Sequence, residues 1–412
     1  MSTFVRAPRE QIDCTCLGTS PNLRFLWWDV AMSQSHAVGR QVPGMLLSAL
    51  ISLVLGYVVL RILNAGILLA WQTIPGNFSS IPAWYVLGLL FMSAVLVYVI
   101  RRYVGDAGHS PMSGIKVTVY TPKEYVGVIL AIVATLWGGV VLGPEMALVA
   151  TGSMVGGLVA SRLHKTDAAD RKKIVIAGVA GAIFALFVGP ALAGTHRLAN
   201  TPTSIQLSQV LLAVLVSVIV VIVVTVARLI AALVGRLAGD GPRLPVLVAA
   251  AVIVGVSALI VQNQTGAGIQ FIVTSGENFL TELPSLTVTS TIVAVIIFKL
   301  IAYAVSLGAG FRGGPFLPAM FVGAAAGLLL ARLSGDAGLS APVAIVVGVI
   351  ASVVATARMR WFLVILIGVS FGLFMGSWTL VPPVLVGAVV ARLIPRWGDR
   401  LTASIQGVAA TR

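Results

Sequence analysis

Of the thirteen acidic residues in this chain, Glu145 alone falls inside an apolar stretch; the other twelve sit in tails, in loops or at segment edges. A carboxylate at membrane depth is costly and marks a functional site by default. Glu145 follows Gly143-Pro144 directly. Proline suits the first helical position, where its missing N–H would be unpaired anyway. A carboxylate in the first turn also interacts favourably with the helix dipole. The plain alternative is a helix cap. A lone acid in an apolar run favours chemistry instead: ionised, such a group occupies an anion site, and protonated or displaced it vacates that site.

The surrounding stretch occurs twice. Gly143-Pro144, Gly152 and Gly156 return as Gly314-Pro315, Gly323 and Gly327, each 171 residues on. Glycines four apart line one helix side and admit close approach of another backbone. The apolar runs that follow, Met146 to Ala160 and Phe316 to Ala331, would make helices roughly 22–24 Å long, shorter than a bilayer's hydrocarbon core. Both helices are therefore expected to begin inside the membrane. A helix N-terminus there offers free N–H groups and about half a positive charge, which suits a buried anion. Matched broken helices in two halves point to a transport site near the midplane. Gly178 and Gly348 sit in small-residue runs about one repeat length apart, so each half is expected to pack a second helix on its broken one.

The elements that must position these groups are apolar. The chain has 412 residues, 58% hydrophobic and 10% charged, with mean hydropathy +1.03, which reads as an all-α integral membrane protein. Twelve apolar segments are expected, near 43–71, 83–100, 124–142, 145–160, 174–193, 205–235, 244–262, 288–307, 316–331, 341–356, 361–376 and 380–395. Their uneven lengths imply tilted, broken and re-entrant helices. Residues 1–42 read as a polar N-terminal tail, either with an interfacial segment around Leu23–Met32 or without fixed structure. Residues 43–238 and 239–398 read as two transmembrane repeats divided near Gly239–Arg243, and 399–412 as a cytoplasmic tail. The loop Ser161–Lys173 carries five basic residues and is expected in the cytoplasm, whereas the matching loop after Arg332 is not basic. An inverted repeat would explain the difference.

The net charge of +14 is spread over loops and tails, which suits a membrane protein rather than a nucleic-acid surface. Cys14 and Cys16 lack further ligands at metal spacing, so no disulfide framework, metal or cofactor is expected. No His-Glu-x-x-His, paired aspartates or Ser/His arrangement suggests an enzyme.

Leu142-Gly143-Pro144-Glu145-Met146-Ala147 resembles the Gly-Lys/Arg-Glu-Gly-Pro motif of the CLC chloride channels and chloride/proton antiporters. Gly313-Gly314-Pro315-Phe316-Leu317-Pro318 resembles their Gly-x-Phe-x-Pro motif. Phe187–Gly194 resembles the family's turn after the next helix, and Gly108-His109-Ser110-Pro111 loosely resembles its Gly-Ser-Gly-Ile-Pro. The likeness spans roughly 43–398. It implies a CLC-like inverted-repeat bundle, a homodimer with one anion path per subunit, and a multi-pass protein of the bacterial inner membrane. The contact between subunits would come from the late helices and those around 205–235. Glu145 matches the gating glutamate, and Phe316 and Leu317 the backbone donors to the anion. Ser110 matches the serine at the inner end of the path, with His109 beside it. Gly143, Pro144, Gly314, Pro315 and Pro318 shape the helix starts.

Departures accompany the likeness. Pro315 removes a backbone donor. No tyrosine follows Tyr303, so Ser377 or Trp378 falls nearest the family's inner-gate position. His196–Thr201 carries no carboxylate where many antiporters have an inner glutamate, which tilts the expectation toward passive conduction. Chloride is the default ion. The alternatives are an exporter of fluoride or another anion on the same fold, and an unrelated inverted-repeat transporter of small organic solutes. Against the last stands the expectation that no intramembrane cation waits for a carboxylate substrate.

Overall fold

The computed structural model describes residues 23–78, 80–105, 111–113, 117–163, 167–193, 206–239, 241–335, 340–357, 359–375 and 378–394, without the side chains of 23–41, 189, 190, 192, 193 and 278. His109, Ser110, His196 and Ser377 lie outside these residues. The helices are α1 (Leu23–Leu68), α2 (Ala83–Val99), α3 (Pro122–Trp137), α4 (Glu145–Arg162), α5 (Ala168–Ala193), α6 (Leu207–Ala238), α7 (Leu244–Thr265), α8 (Thr289–Gly308), α9 (Phe316–Ser334), α10 (Ala341–Thr356), α11 (Trp361–Phe374) and α12 (Val381–Leu393). Among the described residues, twelve α-helices stand at the twelve apolar runs, and there is no strand. Among the described residues, six helical stretches are long and apolar enough to cross a membrane: Val42–Asn77, Ala83–Val104, Leu207–Ala238, Leu244–Thr265, Thr289–Gly308 and Phe316–Ser334. The chain is a multi-pass integral membrane protein.

Helix boundaries follow local chemistry. Thr121 accepts the Glu124 N–H at 3.4 Å while Glu124 Oε2 accepts from the Thr121 backbone at 2.9 Å, a reciprocal cap that starts α3 at Pro122. Gly266, at φ +70°, ends α7. The backbone is helical from Leu23 and runs through Pro43, and the stretch long and apolar enough to span begins at Val42. One sequence expectation changes. The turn expected near Gly189-Pro190 lies within α5, which continues to Ala193.

Packing divides the helices into two matching sets. In the first, α1 packs on α4 and α5, and α4 on α5; in the second, α6 packs on α9 and α10, and α9 on α10. The paired helices meet at glycines. A Cβ on Gly152 would strike Gly178 backbone, and one on Gly323 would strike Gly348 backbone. Hinge glycines match as well: Gly139 before α4 has φ +88° and Gly310 before α9 has φ +98°. Only glycine holds such angles without strain.

Candidate functional site

The loops before α4 and α9 meet in the middle of the molecule. Gly143 N–H donates to the Gly314 carbonyl at 2.7 Å, and Gly314 N–H donates to the Gly143 carbonyl at 2.6 Å. This antiparallel bridge pairs residues 171 apart in sequence, so a local two-fold runs between them. The next bonds obey the same relation. Val141 N–H donates to Ser306 Oγ at 3.2 Å, and Arg312 N–H donates to Thr135 Oγ1 at 3.3 Å. Each member of one bond lies 171 residues from its equivalent in the other. Helix-end hydroxyls thus satisfy buried loop amides that no regular ladder reaches.

Glu145 opens α4 beside this bridge and is 4% exposed. Its Oε1 accepts the Leu317 N–H of the opposing helix start at 2.5 Å. The Phe316 amide and its own amide also interact with the carboxylate. Oε2 is buried without a hydrogen-bond partner among the described residues. A methyl on either Gly143 or Gly314 would overlap Oε2, so both glycines make room for the carboxylate. The carboxylate of one half therefore sits on the free amides of the other half's helix, where an anion is favoured.

Among the expected residues the structure joins Glu145, Phe316, Leu317, Gly143 and Gly314 directly. Pro144 and Pro315 precede the helices as their caps rather than opening them, with φ/ψ of −76°/−4° and −89°/−12°. Pro318 is buried in the first turn of α9. Trp378, the described half of the expected inner-gate pair, is 74% exposed on the turn before α12.

Several groups escaped the sequence reading. Tyr303 is buried on α8 and donates to the Pro315 carbonyl at 2.8 Å, fixing the second helix start. Lys299, one turn earlier, is fully buried. Its Nζ donates to the carbonyls of Ile272, Val273 and Thr274 at 3.0, 3.1 and 2.9 Å and stands 4.8 Å from the Phe321 ring centroid. Thr274, at φ +59°, then donates its N–H to the Gly139 carbonyl at 2.9 Å. The equivalent hinge carbonyl, of Gly310, accepts instead from Arg101 Nη1 at 2.6 Å. Arg101 and Arg312 are buried, 7% and 6% exposed. Lys299, Arg101 and Arg312 are thus three buried basic groups near the two hinges, and main-chain carbonyls hold Lys299 and Arg101. A lone lysine inside the 288–307 run was the signal available, and the carbonyls that hold it lie far away in sequence.

Comparison with known proteins bears on this junction. The profile of the family described as "Voltage gated chloride channel" matches residues 188–396, half of the chain. YfeO of Salmonella choleraesuis, provisionally named an ion-transport protein, is 26% identical over 336 residues, covering 69% of this chain and 80% of that protein. The crystal structure of a slow cyanobacterial Cl−/H+ antiporter is similar with TM-score 0.66 and 16% identity, over 89% of this chain and 95% of the other. That of a CLC-type fluoride/proton antiporter gives 0.60 and 16%, over 86% and 95%. A eukaryotic CLC transporter gives 0.59 and 15%, over 90% and 74%. These structural likenesses concern the fold. The profile match begins inside α5 and runs through α12, taking in the second Gly-Pro helix start that receives Glu145. On that match, and with the fold agreeing, the chain belongs to the CLC family of voltage-gated chloride channels.

Proposed function

We propose that the protein transports a small inorganic anion, chloride by default, along a path that passes the Glu145 junction, and that Glu145 is its gate. The observation that supports this is the bond from the Leu317 amide to Glu145 Oε1. A carboxylate held by an opposing helix N-terminus occupies the place where a mobile anion would be stabilised, and competes with it. Phe316 and Leu317 would serve the anion through their amides once the carboxylate leaves. Ser110 and His109, and an inner gate at Ser377 or Trp378, extend the proposal toward the inner end of the path. A homodimer follows from the family likeness and is part of the same reading.

Passive conduction is the favoured mode, because uphill exchange needs a stoichiometric proton route and His196–Thr201 supplies no carboxylate. A fluoride exporter is the second reading. It is supported by Pro315, which withdraws one amide from the site and changes its coordination. Arg101 and Arg312 weaken the argument against an organic-anion carrier, so acetate belongs among the test ions.

The test is efflux from liposomes holding purified protein, with ion electrodes for chloride and fluoride, a radiolabelled acetate control and a pH electrode. Chloride efflux is expected to need a potassium ionophore and to produce no coupled proton movement. Glu145→Gln is expected to keep efflux while abolishing its dependence on external pH. A variant that retained the wild-type pH profile would remove Glu145 from the gate.

A further inference from the structure

The two hinges are held by different chemistry. The Gly310 carbonyl takes the guanidinium of Arg101, whereas Gly139 lies under the uncharged ring of Trp71. Both holders stand in widened turns. Among the described residues two turns are π-helical, Leu69–Thr73 after α1 and Ile100–Val104 after α2. Ile74 N–H donates to the Leu69 carbonyl at 3.0 Å, and Gly105 N–H donates to the Ile100 carbonyl at 3.1 Å, each reaching one residue further than an α-helical bond. Such turns are rare and occur frequently at functional sites.

The first of these turns aims Trp71. Leu63, Ile67 and Trp71 follow one another at four-residue spacing, and all three are buried. Spacing of four overshoots an α-helical turn, and the wider turn takes up the difference, so the ring stays on the inner side of α1. Trp71 Nε1 donates to the Trp137 carbonyl at 3.0 Å, and Trp137 Nε1 donates back to the Leu63 carbonyl at 3.1 Å. These two bonds tie α1 to the end of α3. The Trp137 ring covers Gly66 and the Trp71 ring covers Gly139, and a Cβ on either glycine would overlap the ring above it. Tyr85 of α2 braces the turn: its hydroxyl donates to the Ala70 carbonyl at 2.6 Å, and its ring meets the Trp71 ring edge-on, with centroids 6.4 Å apart.

The start of α4 hangs from this hinge. Gly139 turns the chain into Val140, Val141 and Leu142, each 0% exposed, and six residues after the hinge comes Glu145. Three elements close on the hinge: the Trp71 ring after α1, Ser93 of α2 against Gly138, and the Thr274 amide on the Gly139 carbonyl. The opposing helix start is fixed separately, by Tyr303 on the Pro315 carbonyl. A hinge that shifted would therefore carry Glu145 away from an amide that stays in place, and a hydrogen bond weakens steeply as its alignment is lost.

We infer that Trp71 is a positioning residue of the anion gate, holding the Gly139 hinge so that Glu145 stays on the Leu317 amide. It acts through the hinge, with no contact to the anion required.

The inference rests on Glu145 as gate, and the experiment separates the two. Chloride efflux from liposomes, per amount of monodisperse protein, is measured at acid and at alkaline external pH for wild type, Trp71→Leu, Glu145→Gln and the double variant. Trp71→Leu changes no charge, so an altered pH response reports where Glu145 sits. Wild-type efflux is expected to be lower at alkaline pH, where the carboxylate is ionised and keeps its seat. Trp71→Leu is expected to raise the alkaline efflux severalfold and to leave the acid efflux near wild type. On a Glu145→Gln background it is expected to change neither. A merely structural role would lower efflux at both pH values and in both backgrounds, and that result would overturn the inference. Wild-type efflux in Trp71→Leu, beside a pH-insensitive Glu145→Gln, would overturn it too and leave the gate standing. A Glu145→Gln variant that kept the wild-type pH profile would overturn the gate first. If Trp71→Leu does not fold, Trp71→Phe keeps an aromatic ring and loses the bond to the Trp137 carbonyl. It is expected to raise alkaline efflux by a smaller factor, and no rise would overturn the inference.

Discussion

Glu145 presents two different oxygens to its surroundings, and the difference defines the junction. Oε1 takes the Leu317 amide, whereas Oε2 is wedged between Gly143 and Gly314 with nothing to bond. A buried oxygen left without a partner costs about 1–3 kcal/mol, so the seat holds the carboxylate without trapping it. This residue was legible because an acid inside an apolar run has few bland explanations. The residues that support it were not. Tyr303 looked like one more aromatic of a span, since its partner is a main-chain carbonyl that sequence does not display. Lys299 likewise acts on three carbonyls twenty-five or more residues upstream. Lys299→Met should leave those carbonyls buried and unpaired and free the loop that carries Thr274. The expected loss is about 3 kcal/mol, read in detergent as a lower melting temperature and a smaller monodisperse fraction. An unchanged melting temperature would mean that the 272–274 loop is held without Lys299.

At the scale of elements, the glycine pattern foretold close packing but not the partner. Spacing of four places Gly152 and Gly156 on one side of α4. The structure adds that α5 is what they meet, and that Gly323 and Gly327 meet α10 in the same way. The recurrence of these contacts supports a division of the two repeats before α6, because α6 packs on α9 and α10 as α1 does on α4 and α5. We propose this boundary in place of one near Gly239–Arg243, where composition changes but the packing does not. Leucine at Gly152 or at Gly323 would drive a side chain into a facing backbone, which cannot swing aside as a rotamer can. Each substitution is expected to cost about 1–3 kcal/mol or more and to lower the yield of folded protein to a similar degree. Gly88, in the interior of α2, has nothing within 4 Å of an added Cβ. Gly88→Ala should therefore be neutral or gain up to about 1 kcal/mol from helix propensity. Equal yields for Gly152→Leu and Gly88→Ala would mean that α4 and α5 do not pack as described.

The whole molecule is ordered by direction. Helix α4 leaves the junction and ends at Arg162, beside the basic loop, whereas α9 leaves the same junction and ends against Pro284, in the segment before α8. Two equivalent helices starting together and ending on opposite faces are what an inverted repeat requires. Their N-termini then converge from both sides on one point, which a parallel repeat would not achieve. Charge sets the absolute sense: Arg171, Lys172 and Lys173 favour the cytoplasmic face for the loop after α4. The sequence could suggest this only through loop composition, because the contact between Arg332 and the segment before α8 joins positions 48 residues apart. Labelling decides it. With Cys14 and Cys16 changed to serine, Lys172→Cys and Thr287→Cys each place one thiol at an exposed position of the two faces. A membrane-impermeant maleimide added to intact cells is expected to modify the thiol at 287 and to reach the one at 172 only after permeabilisation. The reverse pattern would turn the molecule over in the membrane. Labelling of both from one side would break the inverted arrangement itself, since α4 and α9 would then leave the junction in the same direction.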